Sequence, residues 1–252
     1  MLQEFQFDKL RVRRYDSRQL SGEAAGNWGA AKIKELLKTK ETVNILFGAA
    51  PSQNEMLAAL TASSVDFSRI NALHMDEYIG LAVGAPQSFG HYMDRHLFKL
   101  LPFASVHYIN VGADGDAMCE HYRRILQDYP LDIVFLGIGE NGHIAFNDPH
   151  VADFDDPYTV KIVSLDEVCR QQQVNDGCFA SIDEVPKEAV TLTIPAIMAA
   201  KTLVCTVPAA SKAKAVEKTC KGDISVDCPA SIMRTHDDCV MFCDSDSGKY
   251  LG

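Results

Sequence analysis

Short apolar runs recur along the chain with little polar alternation, and stretches with helical spacing separate them. The runs LRVRRY (10–15), TVNILFG (42–48), VHYINV (106–111), LDIVFLGIG (131–139), KTLVCTV (201–207) and CVMFCD (239–244) read as strands. INALHMDEY (70–78) reads as a strand running into a turn. Between them, 22–39, 52–63, 88–101, 116–129 and 211–220 read as helices. A loop-rich stretch over 150–184 leads to VPKEAVTLTIPAIMAA (185–200), a turn, strand and helix. Apolar strands alternating with amphipathic helices predict a single-domain α/β fold over residues 1–252, a mostly parallel Rossmann-like sheet with helices on both faces. No linker, repeat or low-complexity tract divides the chain.

In such a sheet, ligands bind beyond the carboxyl ends of the strands. Four strand ends therefore carry the candidate chemistry. After NILFG comes GAAPSQ, in which Gly48, Ala49, Ala50, Ser52 and Gln53 can turn free backbone N–H groups toward an anion. A plain helix cap by Ser52 explains that stretch as well. After NALHM come Asp76 and Glu77, whose side chains point apart on an extended backbone. One can face the crevice while the other anchors a neighbouring loop, and both are candidate site residues, Asp76 for catalysis and Glu77 for substrate binding; a solvated acidic turn is the competing explanation.

The third end, FLGIGENGHIAFNDP (135–149), sets His143 after Gly137, Gly139 and Gly142, with Asp148 five residues on. The glycines permit close backbone approach by a ligand. A carboxylate on one imidazole nitrogen would fix the tautomer and free the other nitrogen for proton transfer near neutral pH. Fourth is VPAASKAKAV, where Lys212 enters a helix against the helix dipole unless an anion is nearby. An ordinary exposed lysine would look the same.

Composition narrows the chemistry. With a formal net charge of −10 the chain is no binder of nucleic-acid backbone, although one pocket can still be locally positive. No apolar run reaches the ~18–20 residues of a membrane span, and the mixed N-terminus predicts no signal peptide. Eight scattered cysteines without a CxxC pair predict reduced thiols in a cytoplasmic protein and no structural zinc. His91 and His96 are five apart in a predicted helix, which is no metal-ligand spacing, and there is no Walker loop or G-x-S-x-G elbow. What remains is acid–base chemistry without metal or organic cofactor. A carboxylate and a histidine suit enolisation of a sugar.

MDEYIGL followed by GIGENGHIAFNDP closely resembles the paired signatures of the glucosamine-6-phosphate deaminase/isomerase family, which shares its fold with 6-phosphogluconolactonases. The likeness runs from about NILFG to the final strand. It implies pyranose opening, transfer of the C2 proton to C1, and hydrolysis of the resulting imine to fructose 6-phosphate and ammonia. On that resemblance Asp76 shuttles the proton, His143 opens the ring, and Asp148 stands as its carboxylate partner. GAAPSQ falls on the phosphate loop and Lys212 on the phosphate-contacting lysine. A small-molecule sugar phosphate is the implied partner. A homo-oligomer is compatible with the family, whose members vary.

The departures from the family pattern are specific. Asp148 replaces the commoner glutamate and is one methylene shorter, so its contact with His143 asks the turn to move inward. Asn141 stands where some members have an aspartate, with Glu140 before it. The phosphate loop is Ala-Ala-Pro-Ser rather than Thr/Ser- and Gly-rich. Aligning on SIDEVP puts Gly177 where the family's phosphate-binding arginine belongs, and Arg170 reaches the site only if the lid runs differently. Losing a bidentate arginine costs on the order of 2 kcal/mol, roughly tenfold to a hundredfold in affinity. The segment that carries an effector site in some members is not recognisable after FNDP, which predicts no activation by an N-acetylated sugar phosphate. An amino-sugar-phosphate isomerase/deaminase is the leading reading. A sugar-phosphate lactonase comes second, disfavoured because Tyr78 rather than arginine follows the acidic pair. A non-catalytic sugar-phosphate-binding regulator comes third.

Overall fold

Alternate side chains of the central strands go to opposite faces of one sheet, and this splits the core into two layers. The computed structural model describes residues 2–82, 84–110 and 114–252. In β3 (Val43–Phe47), Val43, Ile45 and Phe47 pack with Ala25, Ala30 and Ile33 of α1 (Arg18–Leu36) and with Met56, Leu57 and Leu60 of α2 (Asn54–Thr61). Leu46 points the other way. There it joins Val134 and Leu136 of β7 (Ile133–Leu136), Tyr122 of α4 (Gly115–Asp128), Ile197 of α6 (Ile194–Met198) and Val216 of α7 (Ala213–Lys221). Helices cover both faces, as the unalternating strands predict.

The main sheet also contains β1 (Gln3–Phe7), β2 (Leu10–Arg14), β4 (Ile70–His74), β6 (Ser105–His107), β10 (Thr202–Val207) and β11 (Cys239–Cys243), in the order β1-β2-β11-β10-β7-β3-β4-β6. Every pairing is parallel except the β1–β2 hairpin. The chain winds outward one way through β3, β4 and β6, and the other way through β7, β10 and β11. The winding reverses between β3 and β7, which makes that gap the topological switch point.

Five stretches depart from the sequence-based reading. β1 is a half-exposed strand, Gln-Glu-Phe-Gln-Phe, without the apolar run that marks the buried strands. The predicted 70–78 strand breaks at Met75, and β5 (Asp76–Tyr78) leaves for a second, three-stranded antiparallel sheet with β9 (Glu188–Leu192) and β8 (Val160–Ser164). The stretch expected to be loop-rich holds β8 and α5 (Glu167–Asn175), the latter capped by Asp166 Oδ1 on the Cys169 N–H at 2.6 Å. The helix expected over 88–101 is a short α3 (Phe89–Met93) continued by a π-turn, Asp94–Phe98. The predicted 106–111 strand ends at His107, and Val111 lies outside the described residues.

Candidate active site

The switch point is lined from both sides. One pocket is bounded by Gly48–Gln53 after β3, Gly137–Gly139 after β7, and Pro208–Lys212 after β10, with Asp76 and His143 on its wall. Backbone contacts stitch these ends together. Gly48 N–H donates to Phe135 O at 2.8 Å, and Gln53 Nε2 donates to Ser52 Oγ and to Thr206 O, each at 3.1 Å. A Cβ on Gly137 would stand 2.9 Å from that same Nε2 and would push on the amide that bonds Thr206 O.

The acidic pair divides its labour, as the alternation of an extended backbone requires. Asp76 faces the pocket and is buried. Burial, and then the charge of Glu77, push its carboxyl well above the ordinary range. Glu77 points away and lines a different cavity. Its carboxylate accepts the N–H groups of Tyr78 (2.9 Å), Phe89 (3.1 Å) and Gly90 (2.9 Å), so it fastens the start of α3. The expectation that Glu77 binds substrate is therefore not met by its geometry: three backbone donors already occupy it.

His143 sits at the centre of a closed set of contacts. Its Nδ1 stands 2.8 Å from Asp148 Oδ1 and 2.8 Å from Asn141 Oδ1. Asn141 Nδ2 donates to Asp148 Oδ1 at 2.9 Å, and its Oδ1 accepts the His143 backbone N–H at 3.0 Å. The shorter Asp148 thus makes the contact. The intervening turn closes through an Ile144–Asn147 bridge with Ala145 at φ 50°. Burial raises the Asp148 carboxyl, but hydrogen bonds and charge from His143, together with Asn141 and the Cys169 thiol, outweigh it and hold the group below its ordinary value. Asp148 and Asn141 lie behind the imidazole and do not line the pocket. Gly139 does: its Cα lies under the ring, and a Cβ there would stand 2.2 Å from His143 Cε1. Gly142, at φ 90°, packs on Cys228 and serves the turn rather than the pocket wall.

Lys212 is buried in the pocket at the end of a 3-10 turn, Ala210–Lys212. Burial lowers its pKa, and Asp176, Glu140 and Cys169 pull the other way. The turn begins at Ala209, whose φ is 84° and whose N–H is held by Asp244 Oδ2 at 3.0 Å. The far wall is α5 with the residue after it: Gln172, Gln173 and Asp176 line the pocket. Gln172 Oε1 accepts the Glu140 N–H at 2.9 Å, which docks the helix onto the His143 turn. Arg170 faces elsewhere, donating to Val185 O at 3.0 Å and to Ile182 O. Gly177, at φ 76°, has nothing within 4 Å of where a Cβ would be.

Sequence reading missed the α5 residues and Arg18, which also lines the pocket. The signal for Arg18 was available: Ser17 caps α1 by accepting the Leu20 N–H at 3.3 Å, five residues before the expected start. For metal, His143, Asp148 and Cys169 offer ligand atoms within 4.8 Å of one another, as do Asp148, His150 and Asp166. Burial, then the carboxylates of Asp148 and Asp166, push the Cys169 thiol far up. It therefore serves as an S–H donor to Asp148 rather than as a thiolate ligand.

The family described as glucosamine-6-phosphate isomerases/6-phosphogluconolactonase matches residues 16–242. A glucosamine-6-phosphate deaminase of Listeria monocytogenes is 36% identical over 229 residues, covering 90% of this chain and 96% of that protein. One from Lactobacillus delbrueckii subsp. bulgaricus is 36% identical over 213 residues, covering 84% and 88%. Among solved structures, a monomeric glucosamine-6-phosphate deaminase superposes with a TM-score of 0.86 at 29% identity, covering 94% of this chain and 98% of that one. A 6-phosphogluconolactonase from Thermotoga maritima (TM-score 0.77, 18% identity, covering 94% and 100%) shares the fold. The chain belongs to the glucosamine-6-phosphate isomerase/6-phosphogluconolactonase family.

Proposed function

We propose that this chain is an aldose–ketose isomerase/deaminase that converts glucosamine 6-phosphate, or a close amino-sugar phosphate, and water to fructose 6-phosphate and ammonia. The observation that carries the reading is that Asp76 and His143 line one pocket at the switch point, with Lys212 at the same pocket. The curated relatives at 36% identity carry the deaminase name; the lactonase neighbour supports the fold alone.

In this reading Asp148 and Asn141 occupy His143 Nδ1, so Nε2 is the nitrogen that exchanges a proton. His143 takes the proton of the sugar's anomeric hydroxyl and returns one to the ring oxygen, which opens the pyranose. Asp76, ionised, removes the C2 proton and redelivers it at C1. Its raised pKa suits the first step, because a carboxylate whose pKa is raised is the stronger base toward the C2 proton. Water then adds to the imine carbon, and the carbinolamine expels ammonia. The Gly48–Gln53 loop and Lys212 hold the phosphate. No cofactor is needed for these proton transfers.

We extend the reading to residues 1–252 acting as one domain, to work in a reducing cytoplasm, where eight free and mostly buried thiols stay intact, and to the absence of activation by N-acetylglucosamine 6-phosphate. No helix among the described residues is long and apolar enough to cross a membrane. The test is ammonia release from glucosamine 6-phosphate and galactosamine 6-phosphate in parallel, with Asp76→Asn as control. Release that vanishes in the variant supports the deaminase. No release from either sugar at millimolar concentration by folded protein sinks it. A rate increase with the N-acetylated sugar phosphate would overturn the regulatory part.

A further inference from the structure

We infer that Arg18, from the first turn of α1, is the arginine that grips the substrate's phosphate in this chain. The inference rests on the sugar-phosphate reading above.

It starts from a charge imbalance. A phosphate carries close to two negative charges, and the loop Gly48–Gln53 offers only backbone and hydroxyl dipoles. Lys212 is one cation, but Asp176 stands in the same pocket and acts electrostatically on it. The position expected to hold a phosphate arginine is Gly177, and Arg170 is spent on two backbone carbonyls. Among the described residues lining the pocket, Arg18 and Lys212 are the only arginine and lysine.

Arg18 reaches the pocket on the side of the Gly48–Gln53 loop, and the packing of α1 explains how. Gly22 and Gly26 face α2 so closely that a Cβ on Gly22 would stand 2.4 Å from Glu55 Cβ, and one on Gly26 would stand 2.6 Å from Met56 O. Gly29 continues that face against Phe135, at 2.5 Å. This approach brings the first turn of α1 down onto the phosphate loop. Arg18 Nε donates to Glu55 Oε1 at 2.7 Å, and Nη2 donates to Pro51 O within the loop itself. Both bonds lie on one side of the guanidinium, Nη1 makes no hydrogen bond among the described residues, and the side chain remains 38% exposed, which leaves that edge available to a ligand. A cation opening a helix opposes the dipole. Its placement is offset by Glu55 in the free protein, and by the phosphate when one is bound. A planar fork held rigid in this way is the arrangement that favours bidentate phosphate contact.

Inorganic phosphate titrated into the protein by calorimetry tests this, with Arg18→Gln, Arg18→Lys and thermal melts of each. We expect Arg18→Gln to bind phosphate at least tenfold more weakly, and Arg18→Lys to recover part of that loss. The KM for glucosamine 6-phosphate should rise by a similar factor while kcat changes less than threefold. Turnover of unphosphorylated glucosamine, where measurable, should be unaffected; an equal loss with both sugars would mean that Arg18 only props the loop, and would overturn the proposal. Phosphate binding by Arg18→Gln equal to that of the unaltered protein would also overturn it, as would a protein that binds no phosphate at all. Weakened phosphate binding in the variant without any ammonia release would leave the Arg18 assignment standing and refute the reaction. Should Arg18→Gln not fold, the Lys variant decides: unchanged phosphate affinity in it overturns the assignment of a bidentate fork.

Discussion

Asp148 Oδ1 stands 2.8 Å from His143 Nδ1, and Asn141 bridges the two by accepting from the histidine backbone and donating to the carboxylate. The imidazole is thus oriented from behind, with its pocket-facing edge clear. Asp148→Asn should keep the fold but lower kcat by about 10²–10⁴-fold, because an amide can present its N–H to Nδ1 and invert the tautomer. The same variant should lose acid sensitivity of stability. Asp148's depressed pKa gives stability that is present above its unfolded-state pKa and lost as pH falls through the folded-state value. Steady-state ammonia assays and melts across the acid range check both outcomes.

Asp76 has the opposite sign. Its folded-state pKa is raised, so the native state binds a proton more tightly than the unfolded chain does. Stability from this group is therefore full below the unfolded-state pKa and falls as pH rises toward and through the folded-state value. Asp76→Asn should melt higher than the unaltered protein at neutral pH while ammonia release drops at least a hundredfold. Since the base must be ionised, the acid limb of kcat/KM should lie above the range of an exposed carboxylate. A limb that stays in that ordinary range, or a variant that melts lower, would contradict the assignment.

Gly139→Ala probes the support of the histidine ring. The new Cβ would fall 2.2–2.4 Å from three atoms of the His143 imidazole, so the ring must move. We expect kcat to fall by at least tenfold with a stability loss of about 1–3 kcal/mol, the usual cost of overpacking. Near-unchanged kcat would mean that the ring's present position is not the working one.

Ala209 pays for the position of Lys212 with backbone strain, at φ 84° and ψ 149°, a region that essentially only glycine adopts freely. Ala209→Gly should gain about 1 kcal/mol, after glycine's extra unfolded-state entropy is subtracted. A rise in Tm of roughly 2–4 °C is the expected reading, with KM unchanged. Asp244→Asn, which weakens the bond holding the Ala209 N–H at 3.0 Å, should raise KM by loosening the lysine turn.

Glu77→Ala separates support from chemistry. Three backbone N–H groups lose their acceptor, and the variant should be destabilised by about 2 kcal/mol or more. Its kcat should be reduced far less than that of Asp76→Asn, as measured side by side.

Periodicity along the chain was enough for the α/β class, the buried strands and the strand ends that carry Asp76, His143 and Lys212, because each depends on a local pattern of apolar residues and on a general rule of where such sheets bind. The split between Asp76 and Glu77 was also legible, since adjacent side chains on an extended backbone point apart. Pairing was not. β1 and β8 are short and partly exposed, so they become strands through their partners rather than through their own composition. Whether Glu77 faced substrate or a helix terminus depended on Phe89 and Gly90, a dozen residues away. The pocket's second cation depended on a glycine face of α1 meeting α2, a contact between separate helices that no local window contains. Folding assigned α5 and Arg18 to the site because close packing, unlike periodicity, is a property of two surfaces at once.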